Sequence, residues 1–250
     1  MKLHYKLNHL PYKQMQVLAD RGILPAKFGS KKNTPPPCAG CVFGKQKRTP
    51  WRRSKKQSKP LKKATKLGKR VHVDCMVSRQ PGLIPQVLGF LTNRRYAGAL
   101  VFVEELSDFT YVHLVQGFTD ADTLQGKHAF ENLMQSYGVT VQAYHGDNGN
   151  FSNQAFMSDC YDKQQQITFC GVVAHHQSGI VERRIGDLTP AERTLLVHGQ
   201  RMYPSAVKTM LWSFAFVAAV RNRNCYRLDA EGLSPIERLS QVKLQSGEWT

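Results

Sequence analysis

The chain has 250 residues, of which 41% are hydrophobic, enough to build a packed core, so a disordered protein is excluded. No apolar run approaches the roughly 20 residues that a membrane span needs, so we expect no membrane partner. Six scattered cysteines are too few for a disulfide scaffold and favour a reduced, intracellular protein.

The net charge of +17 is concentrated in one part of the chain. Between Arg21 and Val73 lie 17 of the 35 lysines and arginines and no acid, so the other 18 basic residues are balanced by the 18 acids. A block of like charge repels itself and requires a polyanion or a solvated surface. The sequence therefore predicts a neutral body with one strongly basic segment.

Composition divides the chain into four predicted segments: a small module (1–51), a basic linker (52–70), a core (71–200) and a helical extension of that core (201–250). The linker is rich in Lys and Arg and has little apolar content. Three interpretations of it stay open, namely a segment that follows DNA phosphates, a nuclear localisation signal and a solvated spacer.

From Val71 onward the hydrophobic periodicity predicts the order β-β-β-α-β-α-β-α. The predicted strands are 71–77, 98–104, 109–116, 139–144 and 167–172, and the predicted helices are 119–137, 153–165, one beginning at 179, and 204–220. Thr119 and Asp122 predict a capping box, Ser152 a helix cap, and Pro190 a break or restart. This order predicts an α/β fold, a mixed sheet flanked by helices, as in ribonuclease-H-like folds.

Two histidines and a Cys-x-x-Cys pair occur in the small module: His4, His9, Cys38 and Cys41. Structural zinc takes four nitrogen or sulfur ligands in a tetrahedron. The module is too small to be held by its own core, and a bound metal would supply the missing folding free energy. The alternative is a pair of surface histidines with a reduced cysteine pair. We predict a zinc site.

Three carboxylates form a second candidate site. Asp74 lies inside an apolar strand, where an acid is costly without a partner or a metal. Asp147 follows a predicted strand among glycines, and Glu182 lies near the start of a helix. Converging acids of this kind can hold two Mg²⁺ or Mn²⁺ ions for phosphoryl displacement. Taken singly, Asp147 could be a turn residue, and Glu182 a solvated residue paired with Arg183 or Arg184.

The two sets of motifs resemble known families. The first resembles the zinc-binding pre-integrase region of copia-type retrotransposon polyproteins, in His4-x4-His9, Gly22-Ile23-Leu24-Pro25 and Cys38-x-x-Cys41-x-x-Gly44-Lys45-x-x-Arg48-x-Pro50-Trp51. The second resembles the Asp-Asp-Glu core of retroviral and retrotransposon integrases, in Val73-Asp74, Asp147-Asn148-Gly149-x-Phe151 and His176-Gln177-Ser178-Gly179-x-x-Glu182-Arg183. Leu211-Trp212-x-x-Ala215 and Ser234-Pro235-Ile236-Glu237 match the segment that usually follows.

The resemblance implies a ribonuclease-H-like polynucleotidyl transferase that trims DNA 3′ ends with metal-activated water and joins the freed hydroxyls to target DNA. It implies that Asp74, Asp147 and Glu182 are catalytic ligands of Mg²⁺ or Mn²⁺, and that the two histidines and two cysteines bind Zn²⁺. Its expected partners are element ends and target DNA, with a homo-oligomer when active, no small-molecule substrate, and a nuclear location reached through a cytoplasmic particle. We assign nucleic-acid binding to Lys45, Lys47, Arg48, Arg52, Arg53, Lys55, Lys56, Lys62 and Lys63.

Other interpretations remain open at this point. Ser178 stands where the family has an amide residue, Pro190 interrupts a helix, and no C-terminal DNA-binding module follows. These features favour a catalytically inactive zinc-containing DNA-binding remnant, or a fragment of a Gag-Pol polyprotein. A ribonuclease H or another nuclease on the same fold is a third reading, although a ribonuclease H usually adds a fourth acid.

Overall fold

Five strands form one mixed sheet in the computed structural model, which describes residues 1–29, 36–47, 64–85, 92–170 and 179–243. The strands are β1 (Val71–Leu83), β2 (Arg95–Glu104), β3 (Thr110–Val115), β4 (Ala143–Gly146) and β5 (Gln166–Phe169). Their order is β3-β2-β1-β4-β5, with β1 antiparallel to β2, β2 antiparallel to β3, and β4 parallel to both β1 and β5. This confirms the predicted ribonuclease-H-like mixed sheet flanked by helices.

The α-helices of the described ranges are α1 (Lys2–Lys6), α2 (Tyr12–Asp20), α3 (Ala39–Gly44), α4 (Asp120–Ser136), α5 (Gln154–Asp162), α6 (Gly179–Met202), α7 (Trp212–Tyr226) and α8 (Pro235–Ser240). None of them has both the length and the apolar character needed to cross a bilayer.

Helices cover both faces of the sheet because β2 is apolar on both sides. Leu100 and Phe102 belong to a core shared with α4 and α5, whereas Val101 and Val103 belong to a second core shared with α6 and α7. Successive strand residues point to opposite faces, so one continuous apolar strand serves both cores. The sheet is therefore the middle layer of three.

Two helix starts test the capping predictions. The capping box of α4 is confirmed, since the Thr119 hydroxyl accepts from the Asp122 backbone N–H and the Asp122 carboxylate accepts from that of Thr119. Helix α5 is capped by Asn153, whose Oδ1 accepts from the Phe156 N–H at 2.8 Å. Ser152 instead donates its hydroxyl to the Gly149 carbonyl, so the predicted cap was wrong by one residue.

Pro190 neither breaks nor restarts its helix, so that prediction was wrong. Helix α6 runs without a break from Gly179 to Met202. Proline has no N–H for the carbonyl four residues earlier, which would leave the Gly186 oxygen unpaired. The ammonium of Lys47, from a distant part of the chain, donates to that oxygen at 2.6 Å. An external donor thus replaces the missing helical hydrogen bond.

Several element ends differ from the predictions. Strand β1 continues to Leu83 because its pairing with β2 resumes at Gly82 after an irregularity. Strand β4 begins only at Ala143, and α7 begins at Trp212 after a short 3₁₀ turn and continues to Tyr226. Hydrophobic content alone had assigned residues 139–142 to a strand and 204–211 to a helix. Residues 171–172 of the predicted strand 167–172 lie outside the described ranges.

The N-terminal module packs on the core instead of standing apart from it. Leu10 and Leu18 share an apolar cluster with Tyr226, the last residue of α7, and with Leu228 just beyond it. Arg21 pairs at 2.8 Å with Glu237, whose side chain is fully buried. The predicted boundaries at residues 51, 70 and 200 stay predictions, although α6 continues two residues past the last of them.

A charged network joins α4 to α5 beneath the sheet. The Lys127 side chain is fully buried and pairs with the carboxylates of Asp159 and, at 2.8 Å, Glu131. Its ammonium also donates to Gln165 at 2.7 Å. Lys163 reaches the same two acids, but 40% of its side chain is exposed. The lysine pair therefore offers a comparison between a buried and an exposed member of one network.

We expect Lys127→Met to lower the free energy of unfolding by about 2 to 3 kcal/mol, because it leaves two partly buried carboxylates without their inner cation. Lys163→Met, the matched control, should cost less than about 1 kcal/mol since water screens that ammonium. Urea denaturation at neutral pH measures both. Equal losses in the two variants would contradict a structural role for burial at Lys127.

Candidate metal centres

The two histidines and two cysteines of the N-terminal module come together in one cluster. All four ligand atoms of His4, His9, Cys38 and Cys41 lie within 4.8 Å of one another. The Nε2 of His4 is 3.2 Å from the Nδ1 of His9, and the sulfur–nitrogen separations are 3.3 to 3.6 Å. Tetrahedral zinc with these bond lengths requires nitrogen–nitrogen edges of about 3.3 Å and sulfur–nitrogen edges of about 3.5 Å. The cluster can therefore hold a zinc ion.

Local structure and burial prepare these side chains for a metal. Helix α1 carries His4, and Cys38 and Cys41 lie at the start of α3, where a Cys-x-x-Cys turn puts both thiols on one side. The Nδ1 of His4 is 2.9 Å from the Leu10 carbonyl, which leaves Nε2 as the ligand atom. Burial lowers the pKa of His9 to about 4, so its imidazole is neutral at pH 7. Burial also raises the pKa of Cys41 to about 11, so a cation is needed to ionise this thiol.

Two aromatic neighbours of the cluster are not evident from the sequence. Tyr12 stacks on His4 with ring centres 4.9 Å apart, and His198 of α6 meets His9 edge-on at 4.5 Å. No local motif marks either residue, because each contact depends on how α2 and α6 pack against the module. These rings enclose the cluster and limit its contact with water.

The sheet topology gathers the three acids. Asp74 lies in β1, opposite Val101 of β2. The parallel register pairs His72 with His145, which precede Asp74 and Asp147 by two residues each, and the charge of Asp147 acts on Asp74. Asp74 alternates with Val73 of the first core, so its side chain faces the layer of α6 and α7. Glu182 lies in the first turn of α6 on that same side.

The carboxyl group of Asp74 is electrostatically coupled to the other two acids. Burial raises its pKa to about 6, and the nearby charges of Asp147 and Glu182 raise it as well. The backbone N–H of Cys75, 2.7 Å from the carboxylate, acts in the opposite direction. Asp147 and Glu182 are exposed. Among the described residues, however, only the His/Cys cluster has metal-ligand spacing, so the three acids are close neighbours without forming such a group.

Two of the predicted nucleic-acid-binding residues belong to the described ranges. Lys45 and Lys47 are exposed, and Lys47 combines its bond to Gly186 with a 3.9 Å approach to Asp187. The start of the basic segment therefore lies along α6. The other predicted nucleic-acid-binding residues lie outside the described ranges, namely Arg48, Arg52, Arg53, Lys55, Lys56, Lys62 and Lys63. Ser178 lies outside them as well.

No family model and no curated protein matches this sequence. Among solved structures it is similar to the HTLV-2 integrase catalytic core domain in complex with magnesium. The trimeric form has 16% identity and a TM-score of 0.48, with 68% of this chain and 95% of that chain covered. The dimeric form has 16% identity and a TM-score of 0.48, with 69% and 97% covered. The catalytic core domain of BIV integrase has 21% identity and a TM-score of 0.47, with 70% and 95% covered.

We expect Cys41→Ser to weaken zinc binding by at least about 100-fold, since a hydroxyl is a poor substitute for a thiolate ligand. Zinc release to a chromophoric chelator measures this, and the charge-transfer band of the Co²⁺-substituted protein reports thiolate coordination. Cys225→Ser, at a half-buried cysteine outside the cluster, is the control and should retain both signals. Retention of wild-type zinc affinity by Cys41→Ser would contradict the site.

Asp74→Asn is expected to stabilise the protein in magnesium-free buffer at pH 8 by about 1 to 2 kcal/mol. The folded-state pKa of about 6 exceeds the ordinary value of 3.8, so ionisation costs stability as pH rises through this window. The gain should therefore nearly vanish at pH 4. Urea denaturation at both pH values measures it, and Asp162→Asn, an exposed change at the end of α5, should stay within about 0.5 kcal/mol at pH 8. A gain that is equal at both pH values would contradict the assignment.

Proposed function

We propose that this chain is a metal-dependent polynucleotidyl transferase of the retrotransposon integrase kind, related to copia-type elements. The observation that carries the proposal is the gathering of Asp74, Asp147 and Glu182 on one side of a mixed sheet. Burial is the main cause of the raised pKa of Asp74, and the nearby charges of Asp147 and Glu182 add to it, because like charges oppose one another's ionisation. An uncompensated group of three acids is a costly arrangement for stability alone, whereas divalent cations would offset the cost.

The chain's own residues would bind and orient in this reaction. Mg²⁺ or Mn²⁺ held by oxygen ligands supplies activation of water or of a DNA 3′-hydroxyl. Asp74 is held by its strand and by the Cys75 N–H, and Glu182 by its helix, so both present oxygens from rigid elements. Asp147 lies just beyond the end of β4 and is exposed, so its carboxylate is accessible to a bound strand. No protein nucleophile is required.

Zinc is the ion that we propose for the His/Cys cluster, in a structural role. The tetrahedral edge lengths, the neutral imidazoles and the burial of the set support this assignment. Since α3 packs against α6, zinc would hold the N-terminal module on the core. DNA is the proposed partner of the basic segment, with binding that weakens steeply as salt is added. Assembly as a homo-oligomer and a nuclear location belong to the same proposal.

An inactive DNA-binding remnant is the second candidate. Continuity of α6 through Pro190 removes one reason to favour it, because the helix that carries Glu182 is intact. Catalysis and binding must therefore be separated by experiment.

Asp147→Asn should reduce strand transfer by at least about 100-fold, because it removes a charged metal ligand, while DNA affinity changes by less than about 2-fold. Transfer of labelled oligonucleotide ends into target DNA with Mg²⁺ or Mn²⁺ measures the first quantity, and fluorescence anisotropy the second. Asp162→Asn is the matched control and should keep full activity. Undiminished transfer by Asp147→Asn would exclude the proposed site, and DNA binding by an inactive wild type would favour the remnant.

A further inference from the structure

Arg184 lies two residues after Glu182 but takes no part in the candidate metal centre. It is a buried arginine, with 3% of its surface exposed. Its guanidinium donates to the Asp108 carbonyl at 2.9 Å and also bonds the Asp108 carboxylate and the Thr110 hydroxyl. Asp108 lies in the connection between β2 and β3, and Thr110 is the first residue of β3. Arg184 therefore ties α6 to the end of the β2–β3 hairpin.

Helix α7 closes the same cluster from the other side. Arg223 pairs with the second carboxylate oxygen of Asp108 at 3.0 Å. Asn224 next to it accepts from the Thr110 N–H at 3.0 Å and donates to the Thr110 carbonyl at 2.7 Å. Asp108 has a left-handed backbone with φ of 63°, which turns its carboxylate between the two arginines. Three elements thus meet through one carboxylate.

The first turns of α6 are also held by apolar contacts of Ile180 and Ile185 and by a 3.7 Å ion pair between Asp187 and Arg223 of α7. Val181 and Arg184 are the buried residues between Gly179 and Asp187, and Leu188 follows one turn later. Val181 makes apolar contacts, which are not directional, whereas the Arg184 hydrogen bonds define both the rotation and the height of the helix. At about 100° per residue, Glu182 projects about 200° away from Arg184. Rotation of the helix about its axis would therefore carry the Glu182 carboxylate away from Asp74.

We propose that Arg184 is a positioning residue, which locks α6 through Asp108 and so fixes the rotation and height at which Glu182 faces Asp74 for the binding of a divalent cation. This inference rests on the proposed function. A buried arginine paired with a carboxylate is weak evidence for stability in itself, because desolvation offsets much of the attraction. The strict geometry of the guanidinium is better suited to orienting a helix.

The test compares Mn²⁺ affinity, measured by calorimetry on the full chain, in two backgrounds. Arg184→Met should weaken Mn²⁺ binding about 10-fold, as loss of a supporting contact typically does. Arg184→Lys and Asp108→Asn, which keep a charge or a hydrogen-bonding group, should each weaken it about 3-fold. In the Glu182→Gln background, Arg184→Met should change affinity by less than about 2-fold, since no carboxylate remains to be positioned. Arg238→Met, which breaks an ion pair with Asp229 in another part of the surface, is the control.

The outcomes separate this inference from the function on which it rests. A lower melting temperature of Arg184→Met with unchanged Mn²⁺ affinity, or an equal loss in both backgrounds, would show a purely structural arginine and overturn the inference. Should Arg184→Met fail to fold, Asp108→Asn in the same two backgrounds decides the question. If Asp74→Asn binds Mn²⁺ with the same affinity as the wild type, both the proposed function and this inference are overturned.

Discussion

Helix α6 packs at backbone distance against the N-terminal module that carries the His/Cys cluster, and this contact determines how the separate parts of the chain meet. A Cβ added to Gly44 would lie 2.4 Å from the Thr194 Cα, and one added to Gly40 would lie 3.2 Å from the His198 Cβ of the same helix. At Gly44 only glycine permits this approach, because the Thr194 backbone cannot withdraw from a new methyl group. The same helix carries Glu182, about 18 Å away along its axis. A rigid element therefore connects the two candidate metal centres.

Much of the fold follows from local sequence because the local signals agree with the tertiary structure. The apolar strand β2 and the capping box at Thr119 each have an identifiable physical cause and are present, although β2 begins three residues earlier than predicted. One error occurs where a distant residue decides. Pro190 is accommodated because Lys47, 143 positions earlier, donates to the freed carbonyl, and no periodicity can reveal that contact. The choice between Ser152 and Asn153 as cap depends on one local turn, below the accuracy of a pattern.

The candidate sites differ in how far the sequence defines them. The spacing of Cys38 and Cys41 is almost sufficient to predict a metal site, because a Cys-x-x-Cys turn puts both thiols on one side. The proximity of the acids can be predicted only when the strand order is known, since the parallel pairing of β1 with β4 brings Asp147 near Asp74. The alternative reading of Glu182 was a solvated residue paired with Arg183 or Arg184: Glu182 is exposed, but Arg184 pairs with Asp108, and Arg183 donates to the Gly179 carbonyl. The two arginines next to Glu182 in the sequence were the predicted partners, but their side chains bond to other groups.

Lys47 and the three acids impose opposite requirements on a partner. Lys47 bonds Gly186, one helical turn from Glu182, so this part of the basic segment lies about 6 Å along the axis from Glu182. A polyanion attracted by the segment would meet the repulsion of three carboxylates. Divalent cations on the acids would remove that repulsion and also the cost of ionising Asp74 among its neighbours. The segment and the acids can therefore serve one polyanionic partner only when cations occupy the space between them, which is the arrangement expected for chemistry on a phosphodiester.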